Sequence, residues 1–219
     1  MMLGENGLRI SKSELDALLA FAATDSASSY YGVHFKATVP EGTADELIKA
    51  RATDGKVAVD AFGHSSVGKD QEWFVSRAFL TGVAKLTDAT HNVRLEFKGA
   101  SLHDAAVEDA GGHEVARFSW PGVGAAVAQI TFVDSTEWDK RLKLPTRARG
   151  VKSLEMKCAS LRLLARLGAA AGVDAVECYP PSQDFERLVV RAEGTDTTWV
   201  AVIDPAAVTD EVAATPPGE

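Results

Sequence analysis

Apolar and polar residues follow a pattern that recurs along the chain. A short apolar run is followed by a stretch with apolar residues at helical spacing, and then by further short runs. Such short runs predict β-strands, and the helical spacing predicts an amphipathic helix. The clearest copy extends from Trp73 to Trp120. Its five predicted elements are a strand, a helix and three more strands, at Trp73–Val75, Ser76–Leu86, Asn92–Lys98, His103–Glu108 and Glu114–Trp120.

Two other stretches repeat this order of elements. The copy that opens the chain predicts a strand, a helix and three strands at Leu8–Ile10, Lys12–Ala23, Gly32–Thr38, Glu46–Ala52 and Lys56–Phe62. The last copy predicts the same order at Ser153–Lys157, Ala159–Ala170, Ala175–Tyr179, Arg187–Ala192 and Thr197–Ile203. Because internal repetition determines architecture, the sequence predicts an α+β fold built by duplication of one strand–helix–strands unit.

The segment before the last copy keeps less of the pattern. Pro121–Gly124 is typical of a linker, Ala125–Val133 is apolar, and Asp134–Glu137 can cap a short helix that ends near Leu142. We interpret the segment as a fourth copy that has lost its later strands. The predicted organisation is a first domain at 1–120, a second, shortened domain at 121–205, and a flexible acidic tail at 206–219.

Two local signals fix the ends of predicted elements. Ser11 followed by Glu14 fits a capping box at the start of the first helix. Asp54-Gly55 between two strand-like runs is a strong signal for a tight β-hairpin.

Composition narrows the class of protein. The 219 residues are 46% hydrophobic and 25% charged, as in ordinary globular proteins. No apolar run reaches the roughly 18 residues that a membrane span needs. The first residues lack the basic and apolar regions of an export signal, so we expect a cytoplasmic protein without a membrane partner. Cys158 and Cys178 are expected to be reduced and buried in the core.

The distribution of charge matters more than its sum. The net charge is −8, yet nine of the 23 basic residues lie between Lys140 and Arg166, where Glu155 is the one acid. Arg162 and Arg166 are spaced i, i+4 and therefore lie on one face of the last predicted helix. Such a segment is either a solvated basic surface or a contact with phosphate groups, and the shared helix face favours phosphate.

No motif in the chain predicts catalysis. Gly63 to Lys69 fits the spacing of a phosphate-binding loop, but Asp70 stands where that motif needs Ser or Thr for magnesium. We therefore interpret it as a flexible Gly/Ser loop. The five histidines lack ligand spacing and are expected to be solvated or satisfied at the surface, and neither cysteine has a near Cys or His partner. The sequence predicts a protein that is not an enzyme and needs no cofactor or metal.

Short motifs, in their order along the chain, resemble the DNA sliding clamps, the family of the bacterial replicative polymerase β subunit and the proliferating cell nuclear antigen. Ala52–Ala58 resembles the clamp hairpin with the letters A-T-D-G. Phe74-Val75 and Val93–Phe97 are similar to the second half of that clamp domain. Val176–Cys178, Leu188–Arg191 and Trp199–Ile203 are similar to the last half-domain. The length of the chain is nearer to the short two-domain clamps of phages than to the three-domain bacterial form.

The resemblance implies a ring with helices lining the hole and sheets outside. It implies a head-to-tail homotrimer, because two domains per chain need three chains to supply the family's six. The protein would be a processivity factor that encircles duplex DNA and tethers a replicative polymerase in DNA replication. The alternative is a clamp-like adaptor or decoy that does not encircle DNA. The implied DNA-contacting cations are Lys12, Arg77, Lys85, Arg147, Arg149, Arg162 and Arg166.

The resemblance also implies a groove that captures short peptides from a polymerase or a clamp loader. In the family, that groove is formed by the hairpin of one domain and the final strand of the next. The matching positions here are Thr53, Gly55, Lys56, Val57, Val202, Ile203, Asp204 and Pro205. An extended peptide would lie on the apolar side chains and bond to backbone groups.

Overall fold

The computed structural model describes residues 1–38, 47–66, 71–98, 101–119, 151–156, 158–179, 187–203 and 207–210. Unit one comprises β1 (Met2–Gly4), β2 (Gly7–Ser11), α1 (Lys12–Phe21), β3 (Gly32–Thr38), β4 (Leu47–Thr53) and β5 (Ala58–Ser65). Unit two comprises β6 (Gln71–Ser76), α2 (Arg77–Ala84), β7 (Asn92–Lys98), β8 (Ser101–Glu108) and β9 (Glu114–Ser119). Unit three comprises β10 (Val151–Glu155), α3 (Cys158–Ala171), β11 (Glu177–Tyr179), β12 (Leu188–Glu193) and β13 (Thr198–Ile203), and is followed by β14 (Ala207–Asp210).

Side-chain caps start the first two helices where the sequence predicts. The Ser11 hydroxyl accepts the Glu14 N–H, and the Glu14 carboxylate accepts the Ser11 N–H at 2.8 Å, which completes the capping box of α1. The Ser76 hydroxyl accepts the Phe79 N–H at the start of α2. Each cap satisfies backbone donors that a helix leaves unpaired, and is typically worth about 1 kcal/mol.

Units one and two exchange the strands that directly precede their helices. β2 of unit one pairs antiparallel with β7 of unit two, with Ile10 opposite Val93. β6 of unit two pairs antiparallel with β3 of unit one, with Phe35 opposite Trp73. Each unit therefore contributes a strand to the sheet of the other.

Unit three joins units one and two at a junction made by one strand pair and one helix pair. β13 runs antiparallel to β5, with Trp199 opposite Ala61, and α3 packs against α1. The Thr197 hydroxyl donates to the buried Glu14 carboxylate at 3.1 Å, which links the β12–β13 turn to the cap of α1. The main hydrophobic cluster contains Leu15, Leu80 and Leu167, so one core runs through all three units.

The strands form a 12-stranded sheet, and β10 and β14 form a separate pair, within the residues that the structure describes. The order β11-β12-β13-β5-β1-β2-β7-β8-β9 is antiparallel apart from the β1–β5 pair, and β4, β3 and β6 branch from β5. The α+β class, the repeated units and the placement of α1, α2 and α3 on one face of the sheet agree with the sequence prediction.

Several expectations need correction. Cys158 and Cys178 are free, as predicted, but both are exposed. The buried face of α3 is formed by Leu167, Ala170 and Ala171 rather than by its first residue. The tail was expected to be flexible from residue 206, yet Ala207–Asp210 pairs with β10, because backbone hydrogen bonds can order a polar segment along an open strand.

Other differences concern loops and histidines. Gly63, His64 and Ser65, expected in a flexible loop, belong to β5. His34 is buried rather than at the surface, and its imidazole Nε2 contacts the Glu72 carboxylate. β1 had no sequence signal. Residues 67–70 and Trp120 to Gly150, which include the rest of that loop, the linker and the fourth copy, lie outside the described residues. Within the described ranges, no helix is both long enough and apolar enough to cross a membrane.

Candidate nucleic-acid interface

The helix face is the side of the sheet that carries α1, α2 and α3. α1 lies in the middle and contacts α2 on one side and α3 on the other. The charged residues of α3 are Arg162 and Arg166, and both are exposed. No ion pair engages either guanidinium within the described part of the chain. A helix charged in this way presents a positive surface to solvent.

A shallow groove of about 340 Å³ runs along the outer side of α1. Arg77 from α2 and Arg166 from α3 contribute to its lining, and α1 contributes Asp16 and Ala20. Because α1 lies between the other two helices, the groove places cations from two units of the chain on either side of one helix.

Arg77 has a structural contact as well as an exposed part. Its guanidinium donates to the carbonyl oxygens of Leu19 and Ala22, the latter at 2.9 Å. These acceptors belong to the carboxyl end of α1, where a cation is favoured by the helix dipole. Burial lowers the pKa of Arg77. Arg77 thus ties the beginning of α2 to the end of α1 while it lines the groove.

The two lysines predicted to contact DNA are less well placed than Arg162 and Arg166 to bind phosphate groups. The Lys12 ammonium donates to both carboxylate oxygens of Asp16 at 2.5 Å, so a neighbouring charge offsets it. Lys85 ends α2 and is exposed, but it does not line this groove. Arg147 and Arg149, also predicted to contact DNA, lie outside the described residues.

A second groove, of about 480 Å³, lies at the junction between unit one and unit three. The β4–β5 hairpin contributes Asp54, Lys56 and Val57, and α3 contributes Arg162 and Arg166 among others. Ala20 and Arg166 line both grooves, so the two grooves are neighbours on the helix face. We call Arg77, Arg166, Arg162 and Lys56 the basic strip.

The predicted peptide groove is only partly supported by this geometry. The hairpin does lie beside the last strand, since Ala58 is opposite Val202. However, Val202 and Ile203 are 1% and 0% exposed, so neither side chain faces an open groove. Thr53 is also buried, and its hydroxyl donates to the Val57 carbonyl at 2.7 Å. Asp204 and Pro205 lie outside the described residues.

Gly55 serves the hairpin through its backbone. Its φ of 91° lies in the left-handed region, which glycine adopts without a steric penalty. Its N–H donates to the Thr53 hydroxyl at 3.0 Å. Together with the exposed Lys56 and the half-buried Val57, it shapes the tip of the hairpin.

The opposite side of the sheet pairs its arginines with acids. Arg51 and Asp60 are buried and form a two-pronged ion pair, with both N–O distances 2.6 Å. Arg94 and Arg117 both pair with Glu96 and Glu114. Arg94 also pairs with Glu108, and Arg117 with Asp104. The positive charges there are compensated locally, in contrast to those of the basic strip.

The described residues contain no cluster of three or more His, Cys, Asp or Glu side chains suited to a metal ion. His34 bonds to Glu72, and its pKa is lowered because burial outweighs the attraction of that carboxylate. The sequence missed Lys56 as a cation of the helix face, since nothing in the local pattern shows that the hairpin approaches α3.

No protein-family model and no curated protein matches the chain. Solved structures with a similar fold are sliding clamps. The β chain of DNA polymerase III from Streptococcus pneumoniae is 14% identical with a TM-score of 0.41, over 95% of this chain and 51% of that one. The sliding clamp of Pseudomonas aeruginosa is 14% identical with a TM-score of 0.47, over 93% and 67%. The β clamp of Helicobacter pylori, solved with a DNA ligase peptide, is 15% identical with a TM-score of 0.33, over 94% and 53%.

This chain spans about half the length of the first structures that it resembles, at 51% and 52% of the two streptococcal β subunits. Folds are shared by proteins with different functions, so function has to be argued from the placement of side chains. On the helix face of this chain, Arg162, Arg166 and Lys56 are exposed, and the half-buried Arg77 lies at the other side of α1.

Proposed function

We propose that the protein binds duplex DNA without sequence preference, through the phosphate groups, on its helix face. The observation that carries the proposal is the segregation of charge: the basic strip lies on the helices and the adjoining hairpin, whereas the arginines of the opposite side are paired with acids. A net charge of −8 is compatible with such binding, because the field near the strip is set by nearby charges.

The proposed contacts position DNA and do not read its sequence. Arg162 and Arg166 project from one helix face, and phosphates repeat along a strand at intervals that two such side chains can follow. Base recognition would need an element inserted into a groove of the duplex. The helices of this protein lie flat against the sheet and beside one another, which suits contact along the backbone of DNA.

The proposal extends to a ring. A sliding-clamp processivity factor would encircle the duplex as a head-to-tail homotrimer and tether a replicative polymerase. Among the described strands, β9 pairs with β8 alone and so leaves one edge open to another chain. Heterologous pairing of strand edges closes a ring when the rotation per subunit closes.

The DNA contact is tested with the double variant Arg162→Ala/Arg166→Ala. The matched control is Lys36→Ala/Arg117→Ala, which removes the same charge from sheet positions. Loss of two phosphate contacts should make the slope of log affinity against log salt shallower by about 1.8 for short duplex DNA. The control should keep the wild-type slope. Equal slopes for both variants and the wild type would contradict binding through α3.

The ring is tested by light scattering at physiological salt and by retention on circular DNA. A trimer that stays on circular DNA and leaves linear DNA is the expected result. A monomer that dissociates equally from both would contradict encirclement. It would favour the second candidate, a clamp-like adaptor or decoy.

One observation favours that second candidate. The described residues contain two complete units that exchange strands, but a single third unit, whose last strand β13 is already paired with β5 of the same chain. An adaptor would present the hairpin to a partner. If the protein is an adaptor, it should bind an apolar peptide from a cognate polymerase. Val57→Asp should weaken that binding while the fold stays intact. Ile203 is unsuitable for this test because its side chain is fully buried.

A further inference from the structure

We infer that Lys56, at the tip of the β4–β5 hairpin, is a phosphate-contacting residue that carries the DNA-binding surface from unit three onto unit one. The inference rests on the proposed DNA binding and adds a residue outside the helices to it. The sequence resemblance placed Lys56 in a peptide groove, so the two assignments make different predictions for DNA affinity.

The backbone of Lys56 is held on two sides. The Asp54 carboxylate accepts the N–H groups of Lys56 and Val57, each at 2.8 Å. The Arg187 guanidinium donates to the Lys56 carbonyl oxygen. These hydrogen bonds hold the backbone of Lys56 in a defined position. Binding of a ligand to Lys56 therefore costs less conformational entropy of the hairpin.

The side chain of Lys56, by contrast, is exposed and has no ion pair within the described part of the chain. It lines the junction groove together with Arg162 and Arg166. The acid in that lining is Asp54, whose carboxylate already accepts two backbone N–H groups. Three cations around one groove repel each other, and a polyanion laid along the groove relieves that repulsion.

DNA bound in the junction groove would contact unit one and unit three at the same time. Ala20, Asp54, Lys56 and Val57 belong to unit one and its hairpin, and the remaining lining residues belong to α3 of unit three. DNA that contacts Lys56 and Arg162 together spans the junction. A ligand that binds both sides of a contact stabilises it, so DNA should reduce opening of the β5–β13 pair.

The test uses the full chain, a short mixed-sequence duplex as the probe, and single variants Lys56→Ala, Arg162→Ala and Lys36→Ala. Lys36 is an exposed lysine on β3, away from both grooves, and serves as the charge-matched control. We expect Lys56→Ala and Arg162→Ala each to make the salt slope shallower by about 0.9, and Lys36→Ala to leave it unchanged. Lys56→Arg should keep the wild-type slope.

The outcomes separate this inference from the proposed function. A wild-type slope for Lys56→Ala beside a reduced slope for Arg162→Ala overturns the role of Lys56 and leaves DNA binding by α3 intact. Wild-type slopes for both variants overturn the proposed function as well. A reduced slope together with slower amide exchange in β13 on addition of DNA establishes the contact across the junction.

Discussion

Units one and two differ from unit three in how they are completed. Units one and two each give a strand to the other, through the β2–β7 and β6–β3 pairs. Unit three makes no such exchange within the described residues. It is attached by β13 along β5, by α3 against α1 and by the hydrogen bond from Thr197 to Glu14. The same repeated pattern in sequence thus leads to two kinds of assembly.

The comparison shows that the units depend on one another in different ways. Strand exchange makes units one and two mutually dependent, since neither sheet is complete alone. Unit three depends on β5 and α1, but β5 already has β4 as a partner. The hydrophobic core nevertheless continues into unit three, so the junction is an apolar contact as well as a strand pair. The division of the chain near residue 120 into two domains stays a prediction.

The largest loss of stability is expected from a substitution on β5, the strand that pairs with both β4 and β13. Asp60→Ala on β5 leaves Arg51 buried without its two-pronged carboxylate partner. Removing one member of a buried ion pair typically costs about 3–5 kcal/mol. Denaturant unfolding should show that loss in the whole molecule. Arg51→Met/Asp60→Leu should recover most of it, because no unpaired charge remains, and a mild effect of Asp60→Ala alone would contradict the structural role of the pair.

Leu→Ala substitutions in α2 and α3 should show whether unit three unfolds separately from units one and two. Leu80 in α2 and Leu167 in α3 are both fully buried in the same cluster, and Leu→Ala typically costs about 2–5 kcal/mol. Hydrogen exchange should accelerate mainly in β11, β12 and β13 for Leu167→Ala. For Leu80→Ala it should accelerate throughout units one and two. Identical exchange patterns would show that unit three unfolds only with the rest.

The buried imidazole of His34 on β3 predicts a dependence of stability on pH. Burial lowers the pKa of His34 below its ordinary 6.5, although Glu72 opposes the shift and Arg51 and Lys49 add to it. The unfolded chain therefore binds a proton more readily than the native state. The contribution is present above pH 6.5 and is lost as the pH falls from there through the native pKa.

Thermal unfolding across that pH range, compared with His34→Gln, checks this expectation. The difference between the stability of the wild type and that of the variant should shrink as the pH falls. A difference that grows would mean that the protonated imidazole is favoured by Glu72 in the native state.

The smallest effect is expected at the junction itself. Trp199 is fully buried on β13, and its indole N–H is the one buried side-chain polar atom found without a hydrogen-bond partner among the described residues. Trp199→Phe removes that unpaired donor, which stabilises the native state, but it also removes buried ring volume, which destabilises it. The free energy of unfolding should therefore change by no more than about 1.5 kcal/mol. Equilibrium unfolding measures the change, and a loss as large as that of Leu167→Ala would indicate a bond to the indole.

The sequence predicted the helices and strands, whereas the DNA-contacting and peptide-binding residues stay a prediction. Asp54-Gly55 located the hairpin, and Ser11 with Glu14 located the start of α1, because each signal acts within a few residues. Arg162 and Arg166 were predicted to share one face of the last helix, and both are exposed on α3. Lys12 was expected to contact DNA, yet it pairs with Asp16 four residues away, and Val202 and Ile203 were expected in a groove, yet they lie in the core. These outcomes depend on which neighbours surround a side chain.

The sequence by itself determined the α+β class, the repeated units, the caps and the turn, because these depend on periodicity and on contacts close along the chain. Only the tertiary structure decided which strands pair between units, that Arg77 holds the end of α1, and that Lys56 lies beside α3. The Arg187–Lys56 and Thr197–Glu14 bonds join residues 131 and 183 positions apart. Such contacts form when apolar faces with no specific partner in sequence are buried together, so no local pattern specifies them.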